Sequence, residues 1–216
     1  MTPPQPLAPH AGRPPRTAGV PLDRARAAMI LVHGRGASAE SILELTELLD
    51  HPDFAYLAPQ AAGGTWYPES FLAPIARNEP GISSALATID QLVASLGGAG
   101  IPAERTILLG FSQGACLASE YVARHARRYG GLAALSGGLI GPDDTPRDYA
   151  GSLDGTPVFL GCSDVDFHIP RERVELTGQV LAGLGGAVDL RLYPGMGHTV
   201  NEDEIEAVRT MMQAVG

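Results

Sequence analysis

Thr106-Ile107-Leu108-Leu109-Gly110-Phe111-Ser112-Gln113-Gly114-Ala115 is an apolar run that ends in a serine set between two glycines and passes straight into a helical stretch reaching His125. In a chain with 27 glycines among 216 residues, Gly-x-Ser-x-Gly alone is a weak signal. The setting decides: a strand, a turn too tight for side chains at the flanking positions, then a helix. Such a turn holds the serine in a strained backbone conformation and places a helix N-terminus, with its free N–H groups, behind the hydroxyl. Ser112 is the candidate nucleophile.

Outward from this turn the chain alternates short apolar runs with helical periodicity. The runs Ala28–His33, Phe54–Ala58, Thr106–Phe111, Gly131–Ser136, Pro157–Gly161 and Val188–Tyr193 are near-continuous rather than alternating, as strands covered on both faces must be. Ile82, Leu86, Ile89, Val93 and Leu96 form one helical stripe, and Ile42, Leu45 and Leu49 form another with Ser38 placed to cap it. A last helix opens at Asn201 with acids in its first turn and turns Ile205, Val208, Met212 and Val215 inward. The pattern predicts an α/β fold built on a mainly parallel central sheet, in a single domain over 21–216. Residues 1–20, rich in proline and without an acid, read as a disordered or extended tail.

Composition narrows the function. A net charge of −9 argues against a nucleic-acid partner. All 15 basic residues are Arg, and the lack of Lys removes Schiff-base chemistry and P-loop phosphate binding. No apolar run approaches the ~20 residues of a membrane span. The two cysteines, Cys116 and Cys162, make no disulfide framework, and the N-terminus lacks the apolar stretch of a secretory signal, so a cytoplasmic setting is expected. The oligomeric state stays open, a homodimer included.

A nucleophilic serine needs a base. Of six histidines, His198 stands in Pro194-Gly195-Met196-Gly197-His198, a pliant loop between the last strand and the last helix. His33, in His33-Gly34-Arg35-Gly36, reads as part of an oxyanion site, and His10, His51 and His125 read as structural. For the acid, Cys162-Ser163-Asp164-Val165-Asp166-Phe167-His168-Ile169-Pro170 offers Asp164 and Asp166, which spacing alone does not separate. Asp164, Asp166 and His168 also have the spacing of a metal site, but one extended segment converges poorly on an ion, and no metal is expected. The irregular stretch Gly63 to Pro80 carries Trp66, Tyr67 and Phe71, either as walls of a substrate pocket or as a satellite core beneath the loop. Glu79 reads as a helix-start acid.

Taken in order, Leu31-Val32-His33-Gly34-Arg35-Gly36, Ala58-Pro59-Gln60, Trp66-Tyr67, Asn78-Glu79-Pro80-Gly81-Ile82, Gly110-Phe111-Ser112-Gln113-Gly114, Asp166-x-x-Ile169-Pro170 and Gly197-His198 resemble the phospholipase/carboxylesterase branch of the α/β-hydrolase fold. That group includes bacterial carboxylesterases and acyl-protein thioesterases, and the resemblance runs from about Met29 to the C-terminus. It implies an α/β hydrolase with no cofactor, acting as a carboxylic-ester hydrolase (a carboxylesterase, a thioesterase or a lysophospholipase) on small-molecule acyl esters or thioesters, and the chain length leaves no room for a large cap domain. The family's acid stands four residues before a proline, which points to Asp166, although Phe167 stands where the family commonly has proline. The resemblance also implies oxyanion donors at the backbone N–H groups of Arg35 and Gln113, leaving their side chains free to vary. Two rival readings are a noncatalytic hydrolase-fold binding protein and a dienelactone-hydrolase-like enzyme using cysteine. Ser at the elbow and an unbroken set of catalytic residues disfavour both.

Overall fold

The computed structural model describes residues 9–215. Its strands are β1 (Arg16–Gly19), β2 (Ala27–Val32), β3 (Phe54–Ala58), β4 (Thr106–Phe111), β5 (Gly131–Leu135), β6 (Pro157–Ser163) and β7 (Ala187–Tyr193). They form one sheet in the order β1-β3-β2-β4-β5-β6-β7, with every pairing parallel except the antiparallel β1–β3 edge. The helices are α1 (Ala39–Leu43), α2 (Gly81–Gly98), α3 (Gln113–Arg124), α4 (Arg171–Gly183) and α5 (Glu202–Gln213).

Alternation along β2 explains the layers. Ala28, Ile30 and Val32 face a cluster that takes in Ile82 and Ile89 of α2, Leu117 and Val122 of α3 and Val174 of α4. Ala27, Met29 and Leu31 face the opposite cluster, with Ile42 of α1 and Ile205, Val208 and Met212 of α5. Both faces are therefore covered, as the continuous apolar runs require. Each such Val, Leu, Ile or Met side chain, fully buried, stabilises the fold by about 1.5–3 kcal/mol. The architecture is an α/β-hydrolase-type fold, and among the described residues no helix is long and apolar enough to cross a membrane.

Three local readings need correction. The expected tail is partly built into the fold: β1 pairs Arg16–Gly19 with Ala55–Ala58, and the His10 side chain is buried. Residues 1–8 of that tail lie outside the described residues. Helix α4 went unpredicted because its buried stripe is Arg173, Val174, Thr177, Gly178 and Leu181, in which only two positions are large and apolar. The stripe Ile42, Leu45, Leu49 is not one helix either: Ser38 caps α1 in a capping box, but α1 gives way to a 3-10 turn at Glu44–Glu47.

Candidate active site

Four strands deliver the site at their C-terminal ends, where open parallel sheets bind ligands. β4 ends in Ser112, whose φ of 55° and ψ of −120° are a strained combination for a residue with a side chain. The flanking glycines allow it. A Cβ on Gly114 would overlap the Val32 carbonyl, one on Gly110 would overlap Gly114, and one on Gly34 would stand 3.3 Å from the Ser112 Cβ. Backbones of β2, β4 and α3 thus close up around the serine.

His198 Nε2 lies 2.9 Å from Ser112 Oγ, and His198 Nδ1 lies 2.7 Å from Asp166 Oδ2. A carboxylate only accepts, so Nδ1 carries the proton and Nε2 is left to accept from the serine hydroxyl. Asp166 is fully buried at its side chain and takes two further bonds, from the His168 and Ile169 N–H groups. Burial alone pushes its pKa up. The bonds from His198 and from those amides outweigh that, and the carboxyl is held below its ordinary range. Phe111 and His168 flank the His198 ring, with centroids 5.0 and 4.8 Å away. The histidine loop is tied down separately: Asp164 Oδ1 accepts from Gly195 N–H at 2.8 Å and Ser163 Oγ from Gly197 N–H at 3.1 Å. Asp164 is spent on the Gly195 N–H, whereas Asp166 and His168 both meet the His198 ring.

Opposite the histidine, the N–H groups of Arg35 and Gln113 have no acceptor among the described residues. Their side chains are engaged as well. Arg35 donates to the carbonyls of Pro68 and Glu69 at 2.8 and 2.6 Å. Gln113 accepts from Trp66 N–H and donates to the Tyr67 carbonyl, both at 2.9 Å. Asn78 accepts from Glu69 N–H and donates to the Ser70 carbonyl, and Gly141 N–H reaches the Phe71 carbonyl. The loop over the site is therefore gripped by its main chain at every residue from Trp66 to Phe71.

Beneath this loop a cavity of about 530 Å³ reaches Ser112 and His198, walled by Tyr67, Phe71, Phe111 and Ile169 and edged by Glu69 and His168. Trp66, expected beside Tyr67 and Phe71, does not line it. The indole lies behind the wall, 1% exposed, and donates to the His33 carbonyl at 2.9 Å. Cys116 forms part of the cavity floor, where burial pushes its thiol up to about 11. Glu79 accepts from the backbone and hydroxyl of Ser83 in the first turn of α2, as a helix-start acid does.

The family model for phospholipases and carboxylesterases matches residues 19–215. The chain belongs to the phospholipase/carboxylesterase family. A crystal structure of a phospholipase/carboxylesterase from Dyadobacter fermentans superposes with a TM-score of 0.91 at 41% identity, covering 96% of this chain and 99% of that one. An acyl-protein thioesterase 1 from Gibberella zeae is 33% identical over 117 residues, 53% of this chain and 49% of the relative. Another acyl-protein thioesterase 1, from Cryptococcus neoformans var. neoformans, is 24% identical over 90% of this chain and 95% of the relative. As a member of this family the chain is an enzyme of the ester-hydrolase type. Sequence reasoning missed His168 as a neighbour of His198, weighing it only as a metal ligand, and read His10 as structural without the partners it holds. The signal for His168 was there, since a residue two places beyond the candidate acid shares its loop. For His10 no local pattern existed.

Proposed function

We propose that the chain hydrolyses carboxylic acyl esters, with thioesters within range, through a Ser112–His198–Asp166 triad and an acyl-enzyme. The single observation that carries this reading is the unbroken hydrogen-bonded run from Asp166 through His198 to Ser112, in a cavity shared with Arg35 and Gln113, whose backbone N–H groups have no acceptor among the described residues. Ser112 Oγ attacks the acyl carbon while His198 Nε2 takes its proton. Negative charge gathers on the carbonyl oxygen, which the Arg35 and Gln113 N–H groups receive, and Asp166 steadies the imidazolium. Collapse of the adduct breaks the bond to the alcohol or thiol, and His198 returns the proton to it. Water then enters, loses a proton to His198 and releases the acid, restoring the serine.

A cavity of about 530 Å³ lies in the range that holds one small ligand, and its aromatic wall fits an acyl or alcohol portion of modest size. The cysteine alternative fares poorly, because Cys116 lies inside α3 with its thiol buried and protonated. A fluorophosphonate probe tests the proposal: it labels the wild type and not Ser112→Ala, and p-nitrophenyl esters of graded length are turned over with a preference for shorter chains. A wild type that neither takes the label nor hydrolyses any ester would leave a binding protein as the better reading.

A further inference from the structure

His10 precedes the family match, which starts at residue 19, and belongs to none of the sequence blocks that mark the family. Yet its side chain is 1% exposed and both ring nitrogens are engaged. Ala62 N–H donates to Nδ1 at 3.1 Å, so Nδ1 is bare and Nε2 carries the hydrogen given to the Trp66 carbonyl at 2.8 Å. One neutral tautomer serves both partners. Burial favours that neutral form, against the pull of the Trp66 carbonyl and with help from the positive charge of Arg13. The His10 N–H donates to Ser84 Oγ at 3.0 Å, which anchors the residue on α2. The ring also meets the Trp66 indole edge-on, with centroids 5.2 Å apart.

His10 therefore clamps the two ends of the bend from Ala62 to Trp66. Within that bend the Gly64 carbonyl accepts from Gly36 N–H at 2.7 Å, one residue from the Arg35 N–H. Its far end, Trp66, donates its backbone N–H to the Gln113 side chain and its indole N–H to the His33 carbonyl. Both backbone donors assigned to the oxyanion are thus braced against the same bend. Gly81 permits the close seat, since a Cβ there would come within 2.6 Å of the Trp66 carbonyl that His10 bonds.

We propose that His10 is a positioning residue, which fixes the Ala62–Trp66 bend and through it the spacing of the two oxyanion donors. The inference rests on the hydrolase reading above. Oxyanion donors act only when set at about 2.7–3.1 Å from the developing charge, so a small drift of the bend falls on turnover rather than on binding.

The test uses His10→Phe and His10→Leu, which fill the site and strip both bonds, and His10→Gln, whose amide again donates to the Trp66 carbonyl. Steady-state hydrolysis of p-nitrophenyl acetate is measured well below each variant's melting temperature. The expected result is a kcat about tenfold lower or worse in His10→Phe or His10→Leu with KM within about threefold, and substantial recovery in His10→Gln. A folded Phe or Leu variant with kcat within about twofold of wild type, or with a change in KM alone, overturns the proposal. So does failure of both to fold, which would make His10 a stability residue. An inert wild type would instead overturn the hydrolase reading itself, and the wild-type rate alone identifies that case.

Discussion

Asp164 and Asp166 stand two residues apart at the end of β6, and the bonds they make divide the work between them. Asp166 is buried and bonded to the His198 ring, whereas Asp164 bonds the backbone of the loop that carries it. Asp166→Asn would present an amide N–H or a weaker acceptor to Nδ1, favour the wrong tautomer, and is expected to lower kcat by about 10³–10⁴-fold. In Asp164→Asn an oxygen still accepts from Gly195 N–H, and the expected loss is within about tenfold. Ester hydrolysis by the two purified variants decides the matter, and the reverse ranking would move the acid's role to Asp164. These two aspartates could not be told apart by spacing, since the difference lies in partners 31 and 32 residues away.

At the level of an element, α5 carries an acid that works in one protonation state better than the other. Glu204 closes a capping box with Asn201 through one oxygen, while the other is buried without a hydrogen-bond partner among the described residues. Burial pushes its carboxyl up to about 7, against the pull of the Asn201 N–H and with some help from Asp203. The folded value lies above the ordinary 4.5, so the folded state binds this proton more tightly than the unfolded one. Its contribution is therefore full below pH ~4.5, falls as pH rises toward ~7, and stays low above that. Glu204→Gln keeps the cap and removes the ionisation. It is expected to be more stable than wild type by about 1–3 kcal/mol at pH 8 and to converge with it near pH 5, as urea unfolding at the two pH values will show. Elements were legible where burial is carried by large apolar side chains, as in β2, β3, β4 and α2. They were not where pairing or small residues do the burying: in β1 three of four residues are exposed, and α4 turns Thr177 and Gly178 inward.

Across the whole molecule, the N-terminal segment joins the sheet at one edge and the site at another point. Removing residues 1–20 would uncover the β3 edge and release the bend held by His10. We expect such a truncation to lower the melting temperature by about 5–10 °C and to form oligomers through the bared strand, visible by size-exclusion chromatography. A melting temperature and elution volume equal to those of the full chain would show that the segment is dispensable. The candidate site was legible in its outline, because Ser112 and His198 sit in short glycine-rich turns fixed by local backbone demands, whereas Asp166 was singled out from Asp164 only by the family resemblance. Its frame was not, because Arg35, Asn78, Gln113 and His10 act on main-chain groups of a distant loop, and a carbonyl leaves no mark in a sequence. That frame separates two properties that most pockets entangle. Since the loop is held by its amides and carbonyls from Trp66 to Phe71, the side chains of Pro68 and Glu69 border the cavity without having to keep it standing. A library randomised at these two positions would therefore search substrate range over an unchanged scaffold.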